Sequence, residues 1–386
     1  MRVYLDHNAT SPLRPEARDA MLPFLGHERG NPSSAHALGH RERMAVEEAR
    51  GEIASLLGVR TSEVIFTSGG TESNVLAILG MAWASTKRTV LTTPLEHSSV
   101  LRPVECLARW GFHVRYLPVD PQGRVSPADL RRALSNDTAL VSIGWANNEI
   151  GVCQPVEELA RVCREEGVLF HSDAVQAIGR IPVDGNVADL LSASAHKFGG
   201  PTGVGFLVVR QGVPLVPVLS GGGQERGLRS GTENVAGIVG CAAALRAATN
   251  ELASAAAHCQ SLRERLWAAL QDLPGVVRYS GSGPDFLPNT LCLGFEGIPG
   301  DALVAGLDLE GVCASVGSAC ASGAADPSHV LLALGVDPEA ARSAVRFSLG
   351  AENTGEEIDR AAEIVRTVVR AYRGHSGGRS AQWKVA

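Results

Sequence analysis

Aromatic side chains are scarce in this chain of 386 residues, at 5%, while glycine (43 residues) and alanine are plentiful. That balance argues against a β-sandwich and for an α/β protein with many tight strand–helix turns. No block of lysine and arginine occurs and the formal net charge is −6, which argues against direct nucleic-acid binding. An anionic cofactor remains admissible, because a helix N-terminus attracts an anion whatever the net charge. No run is long and apolar enough to span a membrane; the most apolar, 203–219, is broken by Arg210, Pro214 and Pro217. The opening MRVYLDH lacks the apolar stretch of a secretory leader, and a cytoplasmic protein is expected. The eight cysteines include no Cys-x-x-Cys pair, so no metal site is expected. A disulfide framework is not expected in so long a chain, and most of the thiols read as small core hydrophobes.

What is present is alternation. Short β-branched runs (63–67, 89–92, 113–119, 139–143, 168–171, 189–193) are separated by helical stretches such as 72–85, 126–134 and 156–166. Ser126 is placed to cap its helix, with Pro127 at the first helical position. Such alternation predicts a mostly parallel sheet covered by helices. From about residue 250 the texture changes. A long amphipathic helix over 251–273 is followed by short strands (276–279, 290–293) and helices, which predicts a second, smaller α+β domain. The Gly/Ser-rich end after 374 is expected to fray.

Four stretches carry chemistry. In SAHKFGGP (194–201), Lys197 lies between an apolar strand pattern and a glycine–proline break. A lysine in that setting is a candidate to hold the aldehyde of pyridoxal phosphate as a Schiff base. TSGGTESN (67–74) joins a strand to a helix, and its glycines with the helix N-terminus make a phosphate cup. No Gly-Lys-Ser/Thr follows, so it is not a Walker loop. In FHSDAVQ (170–176), Asp173 stands at a strand end, where a carboxylate can keep a pyridine nitrogen protonated; alternatively it caps the next segment. Gln176 is placed to donate to a ring oxygen. In ASVGSACASG (314–323), a thiol, Cys320, sits among small residues, suited to exposure and nucleophilic attack. His97, in PLEHSS, is a candidate to stack on the ring. Arg346, inside the apolar pattern VRFSLG, needs a carboxylate partner, and a substrate carboxylate would serve. GGGQERGLRSGTEN (221–234) is too long for a simple turn.

Taken together, YLDHNAT (4–10), TSGGTESN, NNEIG (147–151), HSDAVQ, SAHKFGGPTGVG, GGGQERGLRSGTENV, GSAC and RFSLG resemble the cysteine desulfurases of the NifS/IscS type, within the class V group of pyridoxal-phosphate enzymes. The likeness runs from Tyr4 to about Gly350. It implies the aspartate aminotransferase-like fold: a large domain (12–252) with a mostly parallel, mixed seven-stranded sheet, a small α+β domain (1–11 and 253–374) and a flexible tail (375–386). It implies that Lys197 bonds the cofactor and that Gly70, Thr71, Ser194 and His196 hold its phosphate. Thr232 would reach the phosphate in the partner subunit of a homodimer. Asp173 would pair with the pyridine nitrogen, Gln176 with the ring oxygen, and His97 would stack and take part in catalysis. Asn148 and Arg346 would bind the carboxylate of L-cysteine. Cys320 would accept its sulfur as a persulfide, leaving L-alanine, for delivery to an acceptor such as an iron–sulfur scaffold. The residues after Arg373 do not resemble the family's scaffold-docking end, which leaves the acceptor open. Competing readings are another class V reaction, such as selenocysteine elimination or transamination, and a non-enzymatic assembly partner. Cys320 argues against the aminotransferase, and Lys197 with Asp173 against the inert partner.

Overall fold

The computed structural model describes residues 2–317 and 326–376. Two compact units divide them: a larger one, Thr10–Asn147 with Val152–Ala253, and a smaller one drawn from Met1–Ala9, Asn148–Gly151 and Ser254–Ala386.

Along the chain, β1 (Val3–Tyr4) belongs to the smaller unit. The larger unit holds β2 (Val64–Thr67), β3 (Thr89–Thr92), β4 (His113–Tyr116), β5 (Thr138–Ser142), β6 (Leu169–Asp173), β7 (Leu190–Ser194) and β8 (Gly205–Val209). These form one seven-stranded sheet in the order β2-β8-β7-β6-β5-β3-β4. The pairs from β4 through β7 are parallel, and β8 runs antiparallel to both β7 and β2. The sheet is thus mostly parallel, as the alternation predicts, and mixed and seven-stranded, as the resemblance implies. Strands covered on both faces need continuous apolar runs. VIFT, TVLT, TALVS, LLSAS and GFLVV are buried at every residue, whereas β4, at the sheet edge, is largely exposed.

The helix Gly70–Ala84 packs Ala77, Ile78 and Met81 into the core with Val90, Leu140, Leu190 and Leu207. It starts two residues before the expected 72, which puts Gly70 and Thr71 in its first turn. Strand β6 likewise extends two residues past the expected 171, so Asp173 is its last residue rather than the first of a turn. Within β6, His171 lies fully buried between Ser142 Oγ (2.8 Å) and Ser192 Oγ (3.0 Å), one on each flanking strand. Burial pushes its imidazole down to about 3, so it holds the three strands as a neutral ring. Ser126 caps the helix Pro127–Ala133 through the N–H of Ala128, as its sequence predicts.

In the smaller unit, β1 pairs with β11 (Val312–Cys313). Four further strands form an antiparallel sheet in the order β12-β13-β10-β9: β9 (Val276–Arg278), β10 (Thr290–Phe295), β12 (Ser315–Val316) and β13 (Ala344–Ser348). Leu262, Leu266 and Leu270, four residues apart on the helix Leu252–Leu270, pack with Ile358, Ala361 and Val365 of the helix Gly355–Ser376 and with Leu291, Leu293, Val345 and Phe347 of the sheet. The long helix expected over 251–273 is therefore shorter at both ends, and a separate helix, Val235–Asn250, precedes it. Among the described residues, no helix is long and apolar enough to cross a membrane.

Candidate active site

The glycine turn after β2 is shaped by what a side chain would hit. Gly69 has φ of 149°, and a Cβ on Gly70 would sit 2.7 Å from Val175 Cγ2. Only glycines let the chain turn there and start a helix against the end of β6. No side chain caps that helix start, so its first-turn N–H groups and positive dipole end offer themselves to an anion. A Cβ on Gly69 would lie 3.5 Å from Ser194 Oγ, which makes Ser194, the last residue of β7, a neighbour of the turn.

Ser194 leads into the single 3-10 turn Ala195–Lys197. Ser11 fixes this turn from the N-terminal side: its N–H donates to the His196 carbonyl (2.8 Å) and its hydroxyl to that of Lys197 (3.0 Å). His196 Nδ1 lies 3.1 Å from Thr10 Oγ1. Burial, then the cations of Lys197 and Arg180, push the His196 imidazole down to about 4. Two cations around a half-buried imidazole form the electrostatic setting that an anion relieves.

Asp173 joins this group through the pairing of β6 with β7, where it faces Ser192. Its Oδ1 accepts the Val175 N–H (3.0 Å) and its Oδ2 accepts Asn74 Nδ2 (2.7 Å). It therefore does cap the turn after the strand while keeping a carboxylate at the sheet's carboxyl edge. His97 serves as N-cap of the helix Ser98–Arg109, its Nδ1 accepting the Ser99 N–H at 3.1 Å and lying 2.8 Å from Ser99 Oγ. Asn74 Nδ2 also donates to Ser99 Oγ (2.8 Å). His97 and Asp173 are thereby joined through two side chains. Gln176 is buried with its Oε1 accepting from Arg180, which aims the amide nitrogen the other way.

Two ion pairs tie down the loop that carries Thr232. Arg50 makes a bidentate pair with Glu225 (2.7 and 2.8 Å), and Arg229 Nε donates to Glu72 Oε1 (2.7 Å) in the first turn of the helix Gly70–Ala84. Thr232 itself is exposed.

In the smaller unit, Arg346 of β13 is 3% exposed. Its guanidinium donates to Asp6 Oδ1 (2.8 Å) and to the Asn148 carbonyl (3.0 Å), while Nε is buried without a partner. The carboxylate that the sequence demands for Arg346 is thus Asp6, and Nε is left without a partner. Asn148 is brought beside Arg346 as expected. Cys320 lies outside the described residues. Of the described thiols, Cys163 and Cys292 are each pushed up to about 12, chiefly by burial, and burial also pushes up Cys241, so none of these three is a nucleophile.

These features fit a flat, phosphate-bearing aldehyde cofactor: a phosphate cup at an uncapped helix start, cations beside it, a carboxylate at the strand end, and Lys197 one turn away. Sequence reasoning missed Asn74, Ser99, Glu96, Asp6 and Glu149, although all five lie inside or beside quoted motifs. The available signal was polarity on a buried helical face, since Asn74 precedes the core residues Ala77 and Ile78 by three and four positions.

Comparison with known proteins extends this geometry. The family model for aminotransferase class-V matches residues 3–361. A relative from Dictyoglomus turgidum, "Cysteine desulfurase IscS", is 44% identical, covering 99% of this chain and 98% of its own. A solved "NifS-like protein" superposes with a TM-score of 0.90 at 42% identity, covering 96% of this chain and all of its own. Another solved structure, "SspA in complex with cysteine", gives a TM-score of 0.80 at 33% identity, covering 92% of this chain and all of its own.

Proposed function

The chain belongs to the aminotransferase class-V family, and we propose that it is a cysteine desulfurase that converts L-cysteine to L-alanine with pyridoxal phosphate. The observation that carries this reading is the meeting of Asp173, Ser194 and the His196–Lys197 turn with the glycine cup at one edge of the sheet. The full-length likeness to proteins named cysteine desulfurase supports the same reaction.

When bound, the cofactor draws electrons from the substrate Cα. The N–H groups of Gly70 and Thr71, with Ser194 and His196, bind its phosphate. Asp173 holds a proton at the ring nitrogen, Gln176 donates to the ring oxygen, and His97 covers the ring face. Lys197 Nζ would hold the cofactor aldehyde and would serve as the base that takes the proton from the substrate Cα. Arg346 and Asn148 orient the substrate carboxylate. The Cys320 thiolate attacks the substrate sulfur: an S–S bond forms, the C–S bond breaks and its electron pair stays on carbon, where protonation leads to alanine. Thr232 completes the phosphate site of a partner subunit in a homodimer. The sulfur passes to a protein acceptor in the cytoplasm, such as an iron–sulfur scaffold.

The test is alanine release from L-cysteine under a thiol reductant. Wild type forms alanine and sulfide in equal amounts and Cys320→Ala forms neither. Alanine from neither protein would point to another class V reaction; equal activity in both would remove Cys320 from the mechanism.

A further inference from the structure

Asn74 is wholly buried, and its single amide nitrogen donates to two acceptors, Asp173 Oδ2 at 2.7 Å and Ser99 Oγ at 2.8 Å. An amide nitrogen has two hydrogens and cannot accept, so both are committed. Turning the amide over would set its oxygen against the Asp173 carboxylate. The orientation is kept although it leaves Asn74 Oδ1 buried without a partner, a costly arrangement that must be offset on the nitrogen side. Ser99 Oγ receives a hydrogen from Asn74, so its own hydrogen is available to His97 Nδ1, 2.8 Å away. The Ser99 backbone N–H, which can only donate, also points at Nδ1. His97 Nδ1 is therefore an acceptor, and the ring carries its proton on Nε2.

We infer that Asn74 is a positioning residue that sets, through one amide, both groups the cofactor ring meets: the Asp173 carboxylate at its nitrogen and, by way of Ser99, the His97 imidazole on its face. Asp173 Oδ1 is already occupied by the Val175 N–H. With Oδ2 held by Asn74, the carboxylate is fixed at both oxygens, and its remaining lone pairs would be left for the ring nitrogen. The strand end and the helix cap, 76 positions apart in sequence (97 and 173), are thus aligned to each other and not only to the sheet. This inference rests on the pyridoxal-phosphate reading above.

The experiment is solid-state nitrogen NMR on protein labelled at histidine and loaded with cofactor labelled at the ring nitrogen. The His97 signals are also read in cofactor-free protein. Wild type is expected to show a protonated ring nitrogen and a His97 with unprotonated Nδ1. Asn74→Leu keeps the volume and removes the donors. It is expected to lose the ring proton, disturb the His97 signals in both forms, and bind the cofactor about 10- to 100-fold more weakly. Ser99→Ala cuts only the imidazole arm and is expected to change His97 alone. If Asn74→Leu does not fold, Asn74→Ser, too short to span both acceptors, takes its place. A protonated ring nitrogen and unchanged His97 signals in the Asn74 variant overturn the inference. Failure of wild type to bind the cofactor at all overturns instead the functional reading on which it stands.

Discussion

Glu96 sits directly before His97 and is almost wholly buried, with Thr93 Oγ1 donating to one oxygen (2.7 Å) and the Gly144 N–H to the other (2.8 Å). Burial, outweighing these two bonds and aided by the charge of Asp173, pushes its carboxyl up to about 8. At neutral pH it is therefore mainly a neutral acid beside an essential carboxylate, so the cluster carries one negative charge instead of two. The sign follows from proton counting. Between about pH 4.5 and 8 the folded chain keeps a proton that the unfolded chain has released, so this contribution to stability is full below 4.5 and is lost as pH rises through 8. Glu96→Gln mimics the neutral acid. It should gain stability relative to wild type, on the order of a few kcal/mol, as pH rises from 5 to 8.5. Urea unfolding at several pH values reads this directly; parallel pH profiles for the two proteins would show that Glu96 does not titrate in that window. None of this was legible in the residue string, where Glu96 is one acid in PLEHSS. Its state depends on Gly144 and Asp173, 48 and 77 positions away, which only the sheet brings together. Asp6, Asn74 and Ser99 escaped for the same reason, whereas Lys197, Asp173 and the glycine turn were legible because each stands at a break in a contiguous apolar pattern.

At the scale of elements, one carboxylate lies close to both described flanks of the stretch that contains Cys320. Glu149 is 3% exposed, and its Oε2 accepts Ser328 Oγ at 2.5 Å. Ser328 in turn caps the helix His329–Ala333 through the Leu331 N–H. On the other flank, a Cβ at Gly317 would lie 2.6 Å from the same oxygen. Because that oxygen is already fixed, Gly317→Ala forces a shift costing about 1–3 kcal/mol. The expected result is alanine formation reduced about tenfold or more with cofactor affinity unchanged, since the cofactor residues lie in the other unit. Wild-type turnover in this variant would show that the flank moves freely. A second element-level test concerns the loop of Thr232. Glu225, itself at φ of 48°, is buried against Arg50 and also accepts the Phe66 N–H. Glu225→Ala leaves the Arg50 charge buried without that partner, and a loss of about 3–5 kcal/mol is expected in denaturant unfolding. A loss well under 1 kcal/mol would mean that solvent reaches Arg50. The elements themselves were readable from pattern because strands buried on both faces must be continuously apolar. Their ends were not, since the extension of β6 to Asp173 and the start of the helix at Gly70 are set by contacts between the two segments and not by local preference.

The whole molecule poses a different question, which is whose phosphate site the exposed Thr232 serves. In the proposed homodimer with shared sites each subunit lends its loop to the other, as two-fold symmetry permits. Thr232→Asp puts a negative charge where the partner's phosphate would lie and should abolish activity in the pure variant. Lys197→Ala should abolish it independently. A mixture of the two, unfolded and refolded together, separates the arrangements. If loops are exchanged, a mixed dimer holds one site with both defects and one with neither. Random pairing then returns about a quarter of wild-type activity, since half of the dimers are mixed and each has one intact site. If Thr232 serves its own subunit, every site in the mixture carries one defect and no activity returns. A mixture that stays inactive although mixed dimers are isolated from it would therefore assign the loop to the chain that bears it, and the phosphate site would be complete within a single subunit.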